Sequence, residues 1–190
     1  YEERLDDQSA AFRNYDACVR AAPDGPRADT CRARMRAILE DAQRWPELAE
    51  LLWRFSRDSA EPLVAIEFGL DSVDIYTGKL ARPEDASMVL QQLTEVGEPG
   101  PYEARFLAHL REQQLHAEVC GILRRSLQKQ WDVEDGRFTE VVGLLAGVLG
   151  SPEDAIALAE DAVEAFAYLD LPHRVLTDLL KDNASFGDPI

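Results

Sequence analysis

Apolar residues recur at helical spacing along almost the whole chain, and proline or glycine interrupts them every few turns. Ala11, Tyr15, Cys18, Val19 and Ala22 form one stripe, Cys31, Met35, Ile38 and Ala42 a second, and Leu48, Leu51, Leu52 and Phe55 a third. The interruptions are Pro23-Asp24-Gly25-Pro26, Trp45-Pro46, Glu61-Pro62, Arg82-Pro83, Gly97 to Pro101 and Ser151-Pro152. Proline lacks a backbone donor and suits only the first turn of a helix. This punctuation therefore predicts helices of about 12 to 17 residues joined by short turns. One stretch reads two ways: over 63–77, Val64, Ile66 and Phe68 alternate as in a strand, while Leu63, Ile66, Leu70, Val73 and Tyr76 fit a helix. Its length and its helical neighbours favour the helix, and the expected fold class is all-α.

Helices this short are marginal alone and must bury their stripes against one another. Self-comparison indicates how. Pro83-Glu84-Asp85-Ala86 recurs as Pro152 to Ala155, and Ala33-Arg34 with Ala37 and Leu39 recurs as Ala104-Arg105 with Ala108 and Leu110. Within that long period, small residues fall at equivalent positions, Ala11, Ala49, Ala86, Cys120 and Ala155, at intervals that suit a two-helix unit. Ala11-x3-Tyr15-x7-Pro23 has the second-helix spacing of the tetratricopeptide repeat, and Val142-Gly143 followed by Ala155 matches that family's Leu-Gly to Ala interval. Ala37 to Ala49 and Ala108 to Cys120 keep the same interval. The chain thus resembles a tetratricopeptide-repeat protein over roughly residues 5 to 169, although Arg124 and Ala159 stand where the family has an aromatic residue.

The resemblance implies a single domain over 1–190, a right-handed α-α superhelix of hairpins with repeats at about 1–26, 27–62, 63–99, 100–133 and 134–170. A capping helix follows at 171–182, with Leu171, Val175 and Leu179 on one face. On that register Tyr1 is the tenth position of its repeat, so the chain is expected to belong to a longer array. The resemblance also implies a groove lined by first helices, carrying Arg34 and Asp41, then Asp71 and Lys79, then Tyr102, Arg105, His109, Glu112 and Gln113, and finally Arg137 and Glu140. Arg34, Arg105 and Arg137 would form a cationic row suited to an acidic peptide, since guanidinium forks bind carboxylates. The competing expectation is that these arginines pair with carboxylates of neighbouring helices. The family's carboxylate clamp wants Lys and Asn where this chain has Arg105 and His109, so a chaperone C-terminus is not implied.

Charge narrows the partner class. The net charge is −16, and residues 131 to 190 hold 13 acidic against 3 basic side chains, which argues against nucleic acid as a partner. The arginines Arg20, Arg27, Arg32, Arg34 and Arg36 interleave with Asp16, Asp24 and Asp29 and read as a solvated helix face. The longest apolar run, Val141 to Leu149, is about half of the roughly 20 residues a membrane helix needs, and its Gly143, Gly147 and Gly150 read as points of close helix packing.

No metal, cofactor or catalytic group is expected. Glu112, His116 and Cys120 share helical spacing but have no second pair of ligands elsewhere. Asp132, Glu134, Asp135 and Gly136 hint at a calcium loop, yet aligning Gly136 puts Trp131, Val133 and Val142 at ligand positions. Nucleophile-elbow, phosphate-loop and dinucleotide motifs are absent. Cys18 and Cys31 lie symmetrically about the Asp24-Gly25 turn and are candidates for a disulfide; a reduced, buried pair is the alternative. The reduced pair would fit a cytoplasmic protein and the disulfide a periplasmic one. The functional expectation is a non-catalytic protein–protein interaction scaffold. Its alternative is a regulatory or sensor region gating an enzyme domain elsewhere in a longer chain.

Overall fold

The computed structural model describes residues 2–23, 25–129 and 136–186. Among them the chain is all-α, with no strand: α1 (Glu2–Ala21), α2 (Pro26–Asp41), α3 (Trp45–Asp58), α4 (Pro62–Gly78), α5 (Pro83–Val96), α6 (Glu103–Glu112), α7 (His116–Lys129), α8 (Arg137–Gly143), α9 (Pro152–Ala165) and α10 (Asp170–Phe186). A 3-10 turn, Gly100–Tyr102, leads into α6, and a π-helical turn, Leu144–Val148, extends α8. The ambiguous stretch over 63–77 is helical, as α4. Prolines 26, 46, 62, 83 and 152 all stand in the first turn of a helix, where the missing donor costs nothing.

The chain forms two compact units, Tyr1–Gln113 and Gln114–Ile190. In the first, Met35 and Leu39 of α2, Leu48, Leu52 and Phe55 of α3, Ile66, Leu70 and Val73 of α4, Leu90 and Leu93 of α5, and Phe106 and Leu110 of α6 are buried. Two buried serines tie α3 to α4: Ser56 Oγ donates to the Ala65 carbonyl at 2.6 Å, and Ser72 Oγ to the Ala49 carbonyl at 2.9 Å. Gly69 of α4 lies so close to α5 that a Cβ there would sit 2.6 Å from a Leu93 methyl carbon. In the second unit, Val119, Leu123 and Leu127 of α7 are buried, as are Phe138 and Val141 of α8 and Ala155, Ala159 and Ala162 of α9. α10 packs on α9.

The small residues Ala49, Ala86, Cys120 and Ala155 are each the fourth or fifth residue of α3, α5, α7 and α9, and all are buried. The turns that precede these helices share a device the sequence does not announce. Gln43, Ala81, Gln114 and Gly150 each adopt left-handed backbone, with φ between 51° and 64°. After Ala81 the Arg82 N–H returns to the Tyr76 carbonyl at 2.8 Å, and after Gly150 the Ser151 N–H returns to the Leu145 carbonyl at 2.8 Å. These bonds satisfy carbonyls that the helix end leaves orphaned.

Three expectations are corrected. Arg32 is buried rather than solvated: it pairs with Asp29 at 2.9 Å, donates to the Pro23 carbonyl at 2.7 Å and lies over the rings of Phe55 and Phe68. These partners replace water at both Nη groups and over the face of the cation, while the buried Nε makes no hydrogen bond. Gly143, Gly147 and Gly150 do not mark close packing, since a Cβ on any of them would meet no described atom within 4 Å. Glu112 does not share a helix with His116 and Cys120, because α6 ends at Glu112 and α7 begins at His116.

Candidate functional site

A continuous charged ladder crosses α2, α4 and α6 in the first unit. Its members are aligned by helical periodicity: Arg36 and Glu40 stand one turn apart on α2, and Glu67, Asp71 and Asp74 line one face of α4. Tyr102, Arg105, His109 and Glu112 follow at similar intervals along the 3-10 turn and α6. Asp71 is the central rung. Its Oδ2 accepts from Arg36 Nη1 at 2.7 Å and its Oδ1 accepts from Arg105 Nη2 at 2.8 Å. Arg36 also donates to Glu40 at 2.7 Å, and Arg105 also donates to Asp74. His109 Nε2 lies 2.9 Å from Asp74 Oδ1, whereas its buried Nδ1 is 3.6 Å from Glu112 and makes no hydrogen bond.

Burial lowers the guanidinium pKa of Arg36, but its bonds to Glu40 and Asp71 outweigh that and leave it raised. Arg105 is raised in the same way, by Asp71 and Asp74 against burial. The Tyr102 phenol is held above its ordinary value by donating to Glu67, with burial next in weight. The face is therefore an array of charge-assisted hydrogen bonds in which the His109 Nδ1 makes none. Among the described residues no cluster of His, Cys, Asp and Glu could hold a metal ion, and no helix is long and apolar enough to cross a membrane.

No protein-family model matches the chain, and no curated protein matches it either.

The ladder unites some of the expected residues and leaves others out. Asp71, Tyr102, Arg105 and His109 belong to it. Arg34 does not: it is exposed on α2, and Arg36, two residues and about 200° further round the helix, is the one that reaches Asp71. Lys79 stands just beyond α4, with its ammonium 5.1 Å from the centre of the Trp45 ring. Gln113 accepts from Ser87 Oγ of α5 at 3.2 Å. Arg137 and Glu140 lie in the second unit, where Arg137 donates to Ser126 Oγ at 2.6 Å. Asp132, Glu134 and Asp135 of the calcium-loop motif lie outside the described residues. Cys18, Cys31 and Cys120 are free thiols.

The sequence reading missed Arg36, Glu40, Glu67 and Asp74. One signal was available: Arg36, Asp71 and Arg105 are separated by 35 and 34 residues, close to one repeat length, and alternate in charge.

Proposed function

We propose that the chain is a tetratricopeptide-like array of helical hairpins, stacked as a right-handed superhelix, that works as a non-catalytic scaffold for a peptide or partner domain. The observation that carries this reading is the Arg36–Asp71–Arg105 ladder. Its rungs are 35 and 34 residues apart, close to one repeat length, so α2, α4 and α6 are linked side by side at that interval, as stacking of such units requires. The recurring left-handed turns and the buried small residues of α3, α5, α7 and α9 support the same reading.

The preferred partner is basic rather than acidic. Arg105 already spends its guanidinium on Asp71 and Asp74, so an acidic peptide would have to displace carboxylates held in place by the fold. What the face offers instead is carboxylate in excess: Glu40, Glu67, Asp71, Asp74 and Glu112 outnumber Arg36 and Arg105. The outermost, Asp74 and Glu112, have side chains 50% and 65% exposed. A Lys/Arg-bearing segment can pair with these without breaking the ladder, and raised salt weakens it.

The test compares a Lys/Arg-rich peptide with an Asp/Glu-rich peptide of equal length by fluorescence anisotropy against the full chain. A protein this acidic attracts any polycation, so the controls carry the weight. Asp74→Asn with Glu112→Gln should weaken basic-peptide binding about tenfold, the effect of roughly 1.4 kcal/mol. Glu160→Gln with Asp161→Asn removes the same charge from exposed positions of α9 and should change it little. Equal losses from both pairs, or preference for the acidic peptide, would discard this face as the binding site.

A further inference from the structure

α1 and α2 pack against each other, joined by a short connection, and positions equidistant from such a connection come face to face. The structure sets Cys18 of α1 and Cys31 of α2 at such facing positions, and Cys18 is the neighbour that acts most strongly on the Cys31 thiol. The two differ in access. Cys31 is 8% exposed, whereas Cys18 is only partly covered. Disulfide closure needs Cβ atoms about 3.5–4.5 Å apart and sulfurs at about 2.05 Å, a geometry that facing positions on two packed helices can reach. Nothing in the charged ladder uses either residue.

We propose that Cys18 and Cys31 form a redox-active dithiol that a small-molecule disulfide converts into an intrachain disulfide joining α1 to α2. Cys18, the accessible thiol, loses its proton and attacks one sulfur of the oxidant R–S–S–R. A mixed disulfide forms on Cys18 and one R–S⁻ leaves, taking up a proton as R–SH. Cys31 then loses its proton and attacks the Cys18 sulfur, forming the Cys18–Cys31 bond and releasing the second R–S⁻, which is protonated in turn. Two protein thiols are oxidised and one R–S–S–R is reduced to two R–SH. The order follows from access, because a bulky oxidant reaches Cys18 before the buried Cys31. Interaction with Cys18, and then burial, hold the Cys31 thiol above its ordinary range. Cys120, buried in the other unit with its thiol also raised by burial, serves as the internal control.

The experiment incubates the full chain with glutathione disulfide, quenches with acid and counts thiols under denaturing, non-reducing conditions. The three free thiols should fall to one. A non-reducing tryptic digest should then join the peptide over 14–20 to the peptide over 28–32, with Cys120 unmodified. Cys31→Ser should stop the reaction at glutathione on Cys18, and Cys18→Ser should leave Cys31 unreacted. Three persisting thiols, glutathione retained on Cys18 of the unsubstituted chain, or a bond that includes Cys120 would each overturn the proposal.

Discussion

Gly69→Ala tests the close approach that sets the height of α4, the helix whose other face carries Glu67, Asp71 and Asp74. A Cβ at Gly69 would lie 2.6 and 2.7 Å from the two methyl carbons of Leu93 and 3.0 Å from its Cγ. Relaxed carbon contacts lie at about 3.5–4.0 Å. Leu93 is fully buried, so it cannot swing into solvent; either it leaves its rotamer or α4 and α5 part. Overpacking of this kind costs about 1–3 kcal/mol. Against it, alanine in a helix interior gains about 0.5–1 kcal/mol over glycine. The expected net loss is about 0.5–2 kcal/mol for Gly69→Ala. Leu93→Ala alone should cost about 2–5 kcal/mol by leaving a cavity. In the double variant the new methyl enters that cavity, the clash vanishes and the propensity gain remains. The pair should therefore be less destabilised than the sum of the singles by about 1–3 kcal/mol. Urea unfolding followed by far-ultraviolet circular dichroism measures the cycle. Fluorescence of Trp45 and Trp53 in a Trp131→Phe background isolates the first unit. A stabilised single variant, or additivity within about 0.3–0.5 kcal/mol, would refute the close contact.

Ala81 holds left-handed backbone at φ 51°, a conformation that costs a side chain about 1–2 kcal/mol. Ala81→Gly should stabilise by about 0.5–1 kcal/mol after glycine's greater unfolded-state freedom is counted; a lowered urea midpoint would contradict the turn geometry. The phenols of Tyr102 and Tyr76 are both raised, Tyr102 by its bond to Glu67 and Tyr76 chiefly by burial. Their folded values exceed their unfolded ones, so the stability they contribute is complete below about pH 10 and is lost as pH rises through the folded values. Tyrosinate absorbance should show Tyr76 and Tyr102 ionising later in the native chain than in urea, read as the part of the titration lost in Tyr76→Phe and Tyr102→Phe, and identical titrations would rule this out.

Helix, turn and core-facing side chain were legible in the sequence because each depends on neighbours within a few residues. The apolar stripe of α3 and the proline in its first turn specify that helix locally, and the recurring small residues Ala49, Ala86, Cys120 and Ala155 are all buried. Tertiary structure decided what lies across from each helix. Arg34 and Arg36 both sit in an arginine-rich stretch; the choice between them rests on about 100° of rotation per residue, and turns of unequal length between small-residue markers blur a register at that level. Gln43, Ala81 and Gln114 carry no glycine signal, so their left-handed backbone follows from helices already packed in place. The partnership of Arg105 with Asp71, 34 residues away, required helices to be set side by side. Such pairing ties Arg105, which the family resemblance would offer to an acidic partner, into a ladder edged by carboxylates. Electrostatic meaning is a property of distance, and distance between helices is what the folded chain supplies.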